Sequence, residues 1–234
     1  MRETLAQVEA WLGGAQLRQI ATANPEFVMR AQEDEEFRAV LTAADLCLPD
    51  GVGLVWASRW LGKPFPERVA GSELVYHIAE LCAANGASLF LLGAAEGIAA
   101  EAGQILQTRY PALHIAGTFA GSPALAENEA LVAMINASEA AVLYVAYGAP
   151  AQDKWIARNK HALTHVKVGI GVGGALDFIS GRAIRAPRWM QRLGLEWLHR
   201  LWREPWRWRR MLALPRFVAA VLGRSKGNSN RYTW

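Results

Sequence analysis

Asp50 is the acidic residue whose setting is most suited to chemistry. It lies between Pro49 and Gly51, at the end of a predicted strand and before a predicted helix. A carboxylate there can take a proton from a substrate hydroxyl if it lies within hydrogen-bonding distance of it. Aspartate is also a preferred residue at the start of a helix, so taken alone it favours a capping role over a catalytic one.

Two glycine-rich segments, LLGAAEG and GIGVGGALDF, follow predicted strands. Glycines at a strand-to-helix turn let backbone N–H groups approach a phosphate at a helix N-terminus. Neither segment is a complete GxGxxG with a following acid, and neither is a GxxxxGK[ST] loop. Tight turns explain these glycines equally well, and a nicotinamide-dependent enzyme stays open as an alternative.

The last part of the chain is rich in arginine and tryptophan. If Pro205 does not interrupt the helix, four arginines share one helical face: Arg200, Arg203, Arg207 and Arg210. Guanidinium groups suit diphosphates, and tryptophan suits the headgroup boundary of a membrane. Single-stranded nucleic acid and a basic surface packed on the core are alternatives, but the many apolar residues of this part, among them several leucines, favour an interfacial helix.

Charge divides the chain in the same place. The net charge is +4, yet residues 1–180 hold 12 basic and 19 acidic residues, whereas residues 181–234 hold 13 basic residues and only Glu196 and Glu204. Such a division indicates an anionic partner for the C-terminal part. Cys47 and Cys82 are expected to be buried free thiols. No metal site, signal peptide or membrane span is readable, which predicts a cytosolic protein.

Short apolar runs alternate with longer helical patterns up to about residue 174. This order predicts an α/β fold with a mainly parallel, Rossmann-like sheet flanked by helices. One predicted helix starts with Asn24 as its cap and runs to about Ala44. Ligands bind such sheets where the strands end, so Gly93, Tyr147 and Gly173 are candidate contacts.

We therefore expect two parts, an α/β core over residues 1–185 and a basic, helical C-terminal appendage over residues 186–234. The appendage reads as helices broken at three prolines: Pro187, Pro205 and Pro215.

Taken together, six segments resemble the WecG/TagA/CpsF family of bacterial glycosyltransferases, in the family's order and over nearly all of residues 15–217. They are TANPEFVMRAQEDEEFRAVLTAADLCLPDGVGLVWASRWLG, PERVAGSEL, LLGAAEG, YGAPAQDKWI, GVGGALDFISG and RAPRWMQRLGLEWLHRLWREPWRWRRM. The resemblance implies transfer of a sugar, typically N-acetylmannosamine, from its UDP derivative to N-acetylglucosamine on a polyprenyl diphosphate. Products of such enzymes feed teichoic acids, capsules or exopolysaccharides.

The resemblance also implies roles for particular residues. Asp50 matches the family's proposed base, and Thr22 and Asn24 match the Thr and Asn of its TxNPE segment. Arg68 matches an arginine near the donor or acceptor, and Gln152 matches the pocket glutamine of GxPxQ. Three arginines match those thought to close over the diphosphate and contact the membrane: Arg200, Arg207 and Arg210. The segment GTFAGSP departs from the family's pattern, so no contact is carried over there.

From these residues we expect an inverting, UDP-sugar-dependent transferase without a cofactor or metal, because arginines replace the divalent ion that a DxD motif would bind. It would lie peripherally on the inner face of the plasma membrane, bound to anionic lipid and not to nucleic acid. Self-association through the apolar C-terminal residues is also open. The alternatives are an NAD-dependent nucleotide-sugar oxidoreductase and a nucleic-acid-binding module.

Overall fold

Six apolar runs form one sheet in the computed structural model, which describes residues 1–192 and 194–223. The strands are β1 (Arg18–Ala23), β2 (Leu46–Pro49), β3 (Ser88–Gly93), β4 (His114–Phe119), β5 (Val142–Ala146) and β6 (Val168–Gly171). Their order is β2-β1-β6-β5-β3-β4, and every neighbouring pair is parallel. The predicted α/β class and parallel sheet are thus confirmed.

Helices follow each strand and cover both faces of the sheet. They are α1 (Arg2–Leu12), α2 (Pro25–Glu33), α3 (Glu35–Ala43), α4 (Val52–Trp60), α5 (Gly71–Asn85), α6 (Ile98–Arg109), α7 (Leu125–Ala137), α8 (Ala151–Asn159) and α9 (Ala175–Ile179). Side chains alternate between the faces: Leu91 packs in a cluster with α5 and α6, and Leu92 packs in another with α7 and α8. This double cover explains why the strands are nearly continuous apolar runs.

The predicted helix from Asn24 to about Ala44 is two helices. Asn24 caps α2 as expected, since its side-chain oxygen accepts from the Phe27 N–H at 3.1 Å. Asp34 then interrupts the helix, with extended backbone angles, and its carboxylate accepts from the Phe37 N–H at 3.0 Å to start α3. The Lys154 ammonium, 2.8 Å from the same Asp34 oxygen, holds this corner against α8.

The C-terminal residues form α10 (Arg188–Arg192), α11 (Glu196–Arg203), a 3-10 helix (Pro205–Arg207), α12 (Trp208–Met211) and α13 (Ala213–Gly223). Because α11 ends before Pro205, the four arginines do not share one helical face. Pro215 lies in the first turn of α13 and does not break it, as the ring is tolerated there. Phe217 and Val221 of α13 are buried against α2 and α4.

Two further observations concern the cysteines and the membrane. Cys82 is buried as expected, but the predicted burial of Cys47 is wrong, because β2 is an edge strand and leaves it exposed. Among the helices of the described residues, none has the length and apolar character needed to span a bilayer.

Candidate active site

A cavity of about 160 Å³ lies where β1, β2 and β6 end. Thr22 of β1 and Asp50, just after β2, reach it from the sheet. The N-terminus of α5 contributes Gly71 and Ser72, and α11 contributes Glu196 and Arg200; Arg185 enters from the segment after α9. The cavity thus combines a carboxylate at a strand end with a helix N-terminus and two arginines, at the edge of the sheet where ligands bind in such folds.

The Asp50 carboxylate does not cap the helix that follows it. The cap residue of α4 is Gly51, which makes no side-chain bond. Instead, Oδ2 of Asp50 accepts from the Gly71 N–H at 3.2 Å, and the backbone N–H of Asp50 donates to the Ala23 carbonyl at 2.6 Å. The two bonds fix Asp50 between β1 and α5, so its acidic group is held at the cavity.

Burial raises the pKa of the Asp50 carboxyl from 3.8 to about 6. The Gly71 N–H, Arg68 and Arg185 oppose this rise, whereas the negative charge of Glu196 adds to it. A carboxyl with this pKa is largely ionised at neutral pH and is a stronger base than an exposed aspartate. Both properties suit a group that accepts a proton from a hydroxyl.

Gly71, which sequence reasoning did not single out, lets the start of α5 approach both Thr22 and Asp50 closely. A side-chain carbon at this position would lie 3.2 Å from Thr22 Oγ1 and 3.3 Å from Asp50 Oδ2. Both distances are tighter than ordinary contacts of a side-chain carbon, so any other residue at this position would push against Thr22 and Asp50. The glycine that opens the sequence GSEL was the available signal, because glycine is used where the backbone approaches another group closely.

Arg68 lies at the edge of the cavity, where Glu196 joins it to a second arginine. Arg68 Nη1 lies 3.3 Å from Glu196 Oε2, and Arg185 Nε lies 3.5 Å from Glu196 Oε1. Arg185 also donates to Glu73 at 3.1 Å. Sequence reasoning missed Arg185 and Glu196 as site residues, although Arg185 (in RAP) directly precedes the basic C-terminal part and Glu196 (in GLEW) lies within it.

Arg200 is the C-terminal arginine that enters the cavity. Its guanidinium carbon lies 5.0 Å from the centre of the Phe178 ring, and its buried Nε has no hydrogen-bond partner among the described residues. Burial lowers the pKa of Arg200, an effect that Glu196 and Glu204 oppose. The structure therefore places a positive group with an unused donor at the wall of the cavity.

Gln152 and Gly173 lie behind the cavity. Oε1 of the buried Gln152 accepts from the Gly148 N–H at 3.1 Å and from the Gly173 N–H at 2.9 Å. One side chain thus ties together the loops that follow β5 and β6. Val172 and Gly174, on either side of Gly173, line the cavity, so these contacts position its wall.

The other strand-end candidates lie further from Asp50. Gly93 has a φ of +99°, and a side chain there would meet the backbone of Ala146 at 2.9 Å, so it allows close packing of β3 on β5. The Tyr147 ring packs edge-on against Trp155 with centroids 6.4 Å apart, and its hydroxyl is buried. The structure does not place either residue in the wall of the cavity.

Two of the three remaining candidates, Asn24 and Arg210, also lie outside this wall. The side chain of Asn24 caps α2. Arg210 makes a two-pronged ion pair with Glu26 at 2.7 and 3.1 Å, and both line a second cavity of about 450 Å³ between α2 and the C-terminal helices. The side chain of Arg207 lies outside the described part of the structure. Within residues 1–192 and 194–223, no three His, Cys, Asp or Glu side chains are grouped so as to hold a metal ion.

Comparison with known proteins assigns the chain to a family. The family model described as "Glycosyl transferase WecG/TagA/CpsF family" matches residues 1–231. The chain is 36% identical over 210 residues to an N-acetylglucosaminyldiphosphoundecaprenol N-acetyl-beta-D-mannosaminyltransferase of Bacillus spizizenii, covering 90% of this chain and 80% of the relative. Relatives with the same name are 35% identical in Bacillus subtilis (91% and 82% covered) and 32% identical in Staphylococcus aureus (86% and 78% covered). The chain belongs to the WecG/TagA/CpsF family of glycosyltransferases.

Proposed function

We propose that the chain transfers N-acetylmannosamine from UDP-N-acetylmannosamine to N-acetylglucosaminyl-diphosphoundecaprenol. Three relatives that it matches over at least 86% of its length carry the name of this transfer. The observation that carries the proposal is the position of Asp50, a half-buried carboxyl held at a strand end within a cavity that also contains Arg200. A base facing arginines suits the attack of a hydroxyl on a sugar with a diphosphate leaving group.

The reaction is a single displacement. An oxygen of the acceptor sugar attacks the anomeric carbon of the donor and forms the new glycosidic bond, while the bond from that carbon to the diphosphate oxygen breaks. Asp50 takes the proton of the attacking hydroxyl, and UDP leaves with the electron pair of the broken bond. Attack on the face opposite the leaving group inverts the anomeric centre.

Negative charge develops on the departing diphosphate and needs a positive environment. We propose that arginines and the N-terminus of α5 supply it in place of a divalent ion. Arg200, with its unused buried Nε, lies in the cavity wall, and Arg68 lies at its edge. Chelation of divalent ions is therefore expected to leave the transfer rate unchanged.

We further propose that residues 1–185 form the catalytic core and that residues 186–234 form an appendage that binds the inner face of the plasma membrane. Its exposed tryptophans support this, for Trp202 is 78% exposed, Trp206 72% and Trp189 59%. Arg203 and Arg209 lie beside Trp202 and Trp208, with guanidinium carbons 6.0 and 5.5 Å from the ring centres. Aromatic rings next to cations suit the boundary of an anionic bilayer.

The test of this reaction is release of UDP by the purified chain. UDP-N-acetylmannosamine with a short-chain prenyl-diphosphate-N-acetylglucosamine acceptor should give acceptor-dependent release that EDTA does not reduce. Preference for another UDP-sugar would correct the donor and keep the transfer. Failure with every UDP-sugar would contradict the proposal, and bound nicotinamide or salt-sensitive oligonucleotide binding would then support an alternative.

A further inference from the structure

We propose that Arg185 binds a substrate diphosphate and that Glu196 competes with this diphosphate for Arg185 and Arg68. The proposal rests on the proposed function, because its ligand is a diphosphate of the transfer reaction. Two observations support it. The Glu196 carboxylate lies between the guanidinium groups of Arg68 and Arg185 at the edge of the cavity, and the Nε–H donor of Arg185 lies at the same place.

The geometry of Glu196 is that of a loosely held anion. Its two carboxylate oxygens lie 3.3 Å from Arg68 Nη1 and 3.5 Å from Arg185 Nε. Well-formed pairs between a guanidinium and a carboxylate are about 2.7–2.9 Å apart. One carboxylate thus spans two cations at distances longer than either would adopt alone. A diphosphate carries more oxygens and more charge, so it can satisfy both guanidinium groups better than Glu196 does.

Arg185 has a donor that its protein contacts satisfy poorly. Its Nε atom is buried and lies 3.5 Å from Glu196 Oε1, but it makes no hydrogen bond to Glu196 or to any other described residue. Burying such a donor without a partner costs free energy, and each case in a folded protein calls for an explanation. Glu73 of α5 receives the other end of the guanidinium at 3.1 Å and keeps it beside the cavity. The unused donor thus lies in the wall of the cavity that contains Asp50.

Arg182 provides a comparison three residues earlier in the same segment. It makes a two-pronged ion pair with Glu101 at 3.1 and 2.7 Å on the surface, and its side chain is 60% exposed. The side chain of Arg185 is 26% exposed and lines the cavity. Of the two arginines in this segment, Arg182 thus forms a complete ion pair on the surface, whereas Arg185 lines the cavity.

The size of the cavity also points to displacement of Glu196. At about 160 Å³ it is smaller than the roughly 300–1,000 Å³ of pockets that hold ligands of drug size. A UDP-sugar needs the larger range. Glu196 is the first residue of α11 and forms one wall together with Arg200, so a shift of α11 would enlarge the cavity and release both Arg68 and Arg185.

The test is calorimetric binding of UDP to the full chain at constant ionic strength. Arg185→Met should weaken binding about tenfold or more, the typical worth of a hydrogen bond to a charged group. Arg185→Lys keeps the positive charge but lacks the two-pronged guanidinium group. Its affinity for UDP should therefore lie between that of Arg185→Met and that of the unchanged chain. Glu196→Gln, which removes the competing charge, should bind UDP several-fold more tightly.

Two substitutions on the surface pair are the matched controls. Arg182→Met and Glu101→Gln remove the same charges from the pair on the surface, so UDP affinity should stay within about twofold. Melting temperatures close to that of the unchanged chain show that each variant is folded. A parallel series with farnesyl diphosphate distinguishes the sources, since Arg185 acts on the donor if UDP binding changes and on the acceptor if only prenyl-diphosphate binding changes.

Opposite results would overturn the inference. If Glu196→Gln weakens binding as much as Arg185→Met does, Glu196 anchors α11 and does not compete. If UDP and farnesyl diphosphate bind but no Arg185 variant changes either affinity, Arg185 is not a diphosphate contact, and the proposed function stands without it. If neither ligand binds the unchanged chain, the proposed function fails and the inference fails with it.

Discussion

The surroundings of Asp50 have opposing effects on the pKa of its carboxyl group. Burial disfavours its ionised form and raises its pKa, whereas the Gly71 N–H and the nearby arginines stabilise the anion and limit the rise to about 6. An exposed aspartate would be ionised at neutral pH but would hold a proton weakly. The site thus keeps Asp50 charged at neutral pH and makes it a better proton acceptor.

The first prediction concerns pH. Since Asp50 must be ionised to act as the proposed base, kcat/KM for transfer should rise as pH increases through about 6 and should be level above about pH 7. Measured initial rates between pH 5 and 8, with protein stability checked at each pH, test this. A rate that is constant over the whole range would show that no group with this pKa limits the reaction.

Asp153 of α8 carries a second buried carboxyl group, and its protonation affects the stability of the fold. It has no exposed surface, and both of its side-chain oxygens lack a hydrogen-bond partner among the described residues. Burial raises its pKa from 3.8 to about 7. The folded chain therefore holds a proton on Asp153 that the unfolded chain releases near pH 4.

The second prediction follows from the sign of this shift. Between about pH 4 and pH 7 the folded state binds the extra proton, so the contribution of Asp153 to stability falls as pH rises, by up to about 1.4 kcal/mol per pH unit. Asp153→Asn removes this dependence. The free energy of unfolding, measured in urea for the variant and for the unchanged chain, gives a difference between the two. This difference should shift in favour of the variant from pH 5 to 7 and should not change further above pH 7. A pH-independent difference would show that Asp153 is ionised in the folded chain.

At the scale of elements, the site depends on how α5 begins. Its first residue, Gly71, donates to Asp50 and passes close to Thr22. The helix is 15 residues long, so its N-terminus also presents partial positive charge to the cavity. Positioning of Asp50, the proposed base, and electrostatic support for an anion thus come from the same turn of helix.

The third prediction is that Gly71→Ala separates activity from stability. Alanine is the better helix former, so the melting temperature should hold. Its methyl group would lie 3.2–3.3 Å from Thr22 and Asp50 and displace them, and kcat should fall about tenfold, since small misplacements of reacting groups are costly. Gly13→Ala, whose methyl group meets nothing within 4 Å, is the control. Unchanged kcat in Gly71→Ala would contradict the role of this close approach.

Local patterns predicted most elements but not the contacts between distant ones. Apolar runs located the parallel strands, and the end of β2 located Asp50. Asp34 was not recognised as a break between α2 and α3, because its capping role competes with a helical pattern on both sides. The pair between Arg68 and Glu196 joins residues 128 positions apart, which no spacing reveals. Gln152 was expected from the resemblance alone, and only the structure shows that it ties Gly148 to Gly173.

At the scale of the whole molecule, most of the exposed tryptophans lie in the C-terminal helices. The C-terminal helices combine exposed tryptophans with arginines and cover the cavity through α11. In α4, which packs against α13, the exposed rings of Trp56 and Trp60 stack on each other with their centroids 6.1 Å apart. Such a face suits a bilayer that carries the lipid acceptor, and it would also suit a second copy of the chain.

The fourth prediction distinguishes these partners. The double variant Trp202→Ser, Trp206→Ser should lose most of its co-sedimentation with anionic phospholipid vesicles, because both rings are largely exposed. Leu125→Ser, which alters a leucine that is 74% exposed outside this face, is the control. Unchanged vesicle binding together with a smaller oligomer would assign the face to contacts between copies of the chain.

Asp50→Asn tests the central claim most directly. UDP release from UDP-N-acetylmannosamine with the prenyl-diphosphate acceptor should fall by about 10²–10⁴-fold, the usual worth of a general base, while UDP binding is retained. Asp45→Asn, the same change at the other end of β2, should keep the rate within a few fold. Acceptor-dependent release that Asp50→Asn leaves intact would contradict the account, since the transfer would then proceed without Asp50 as its base.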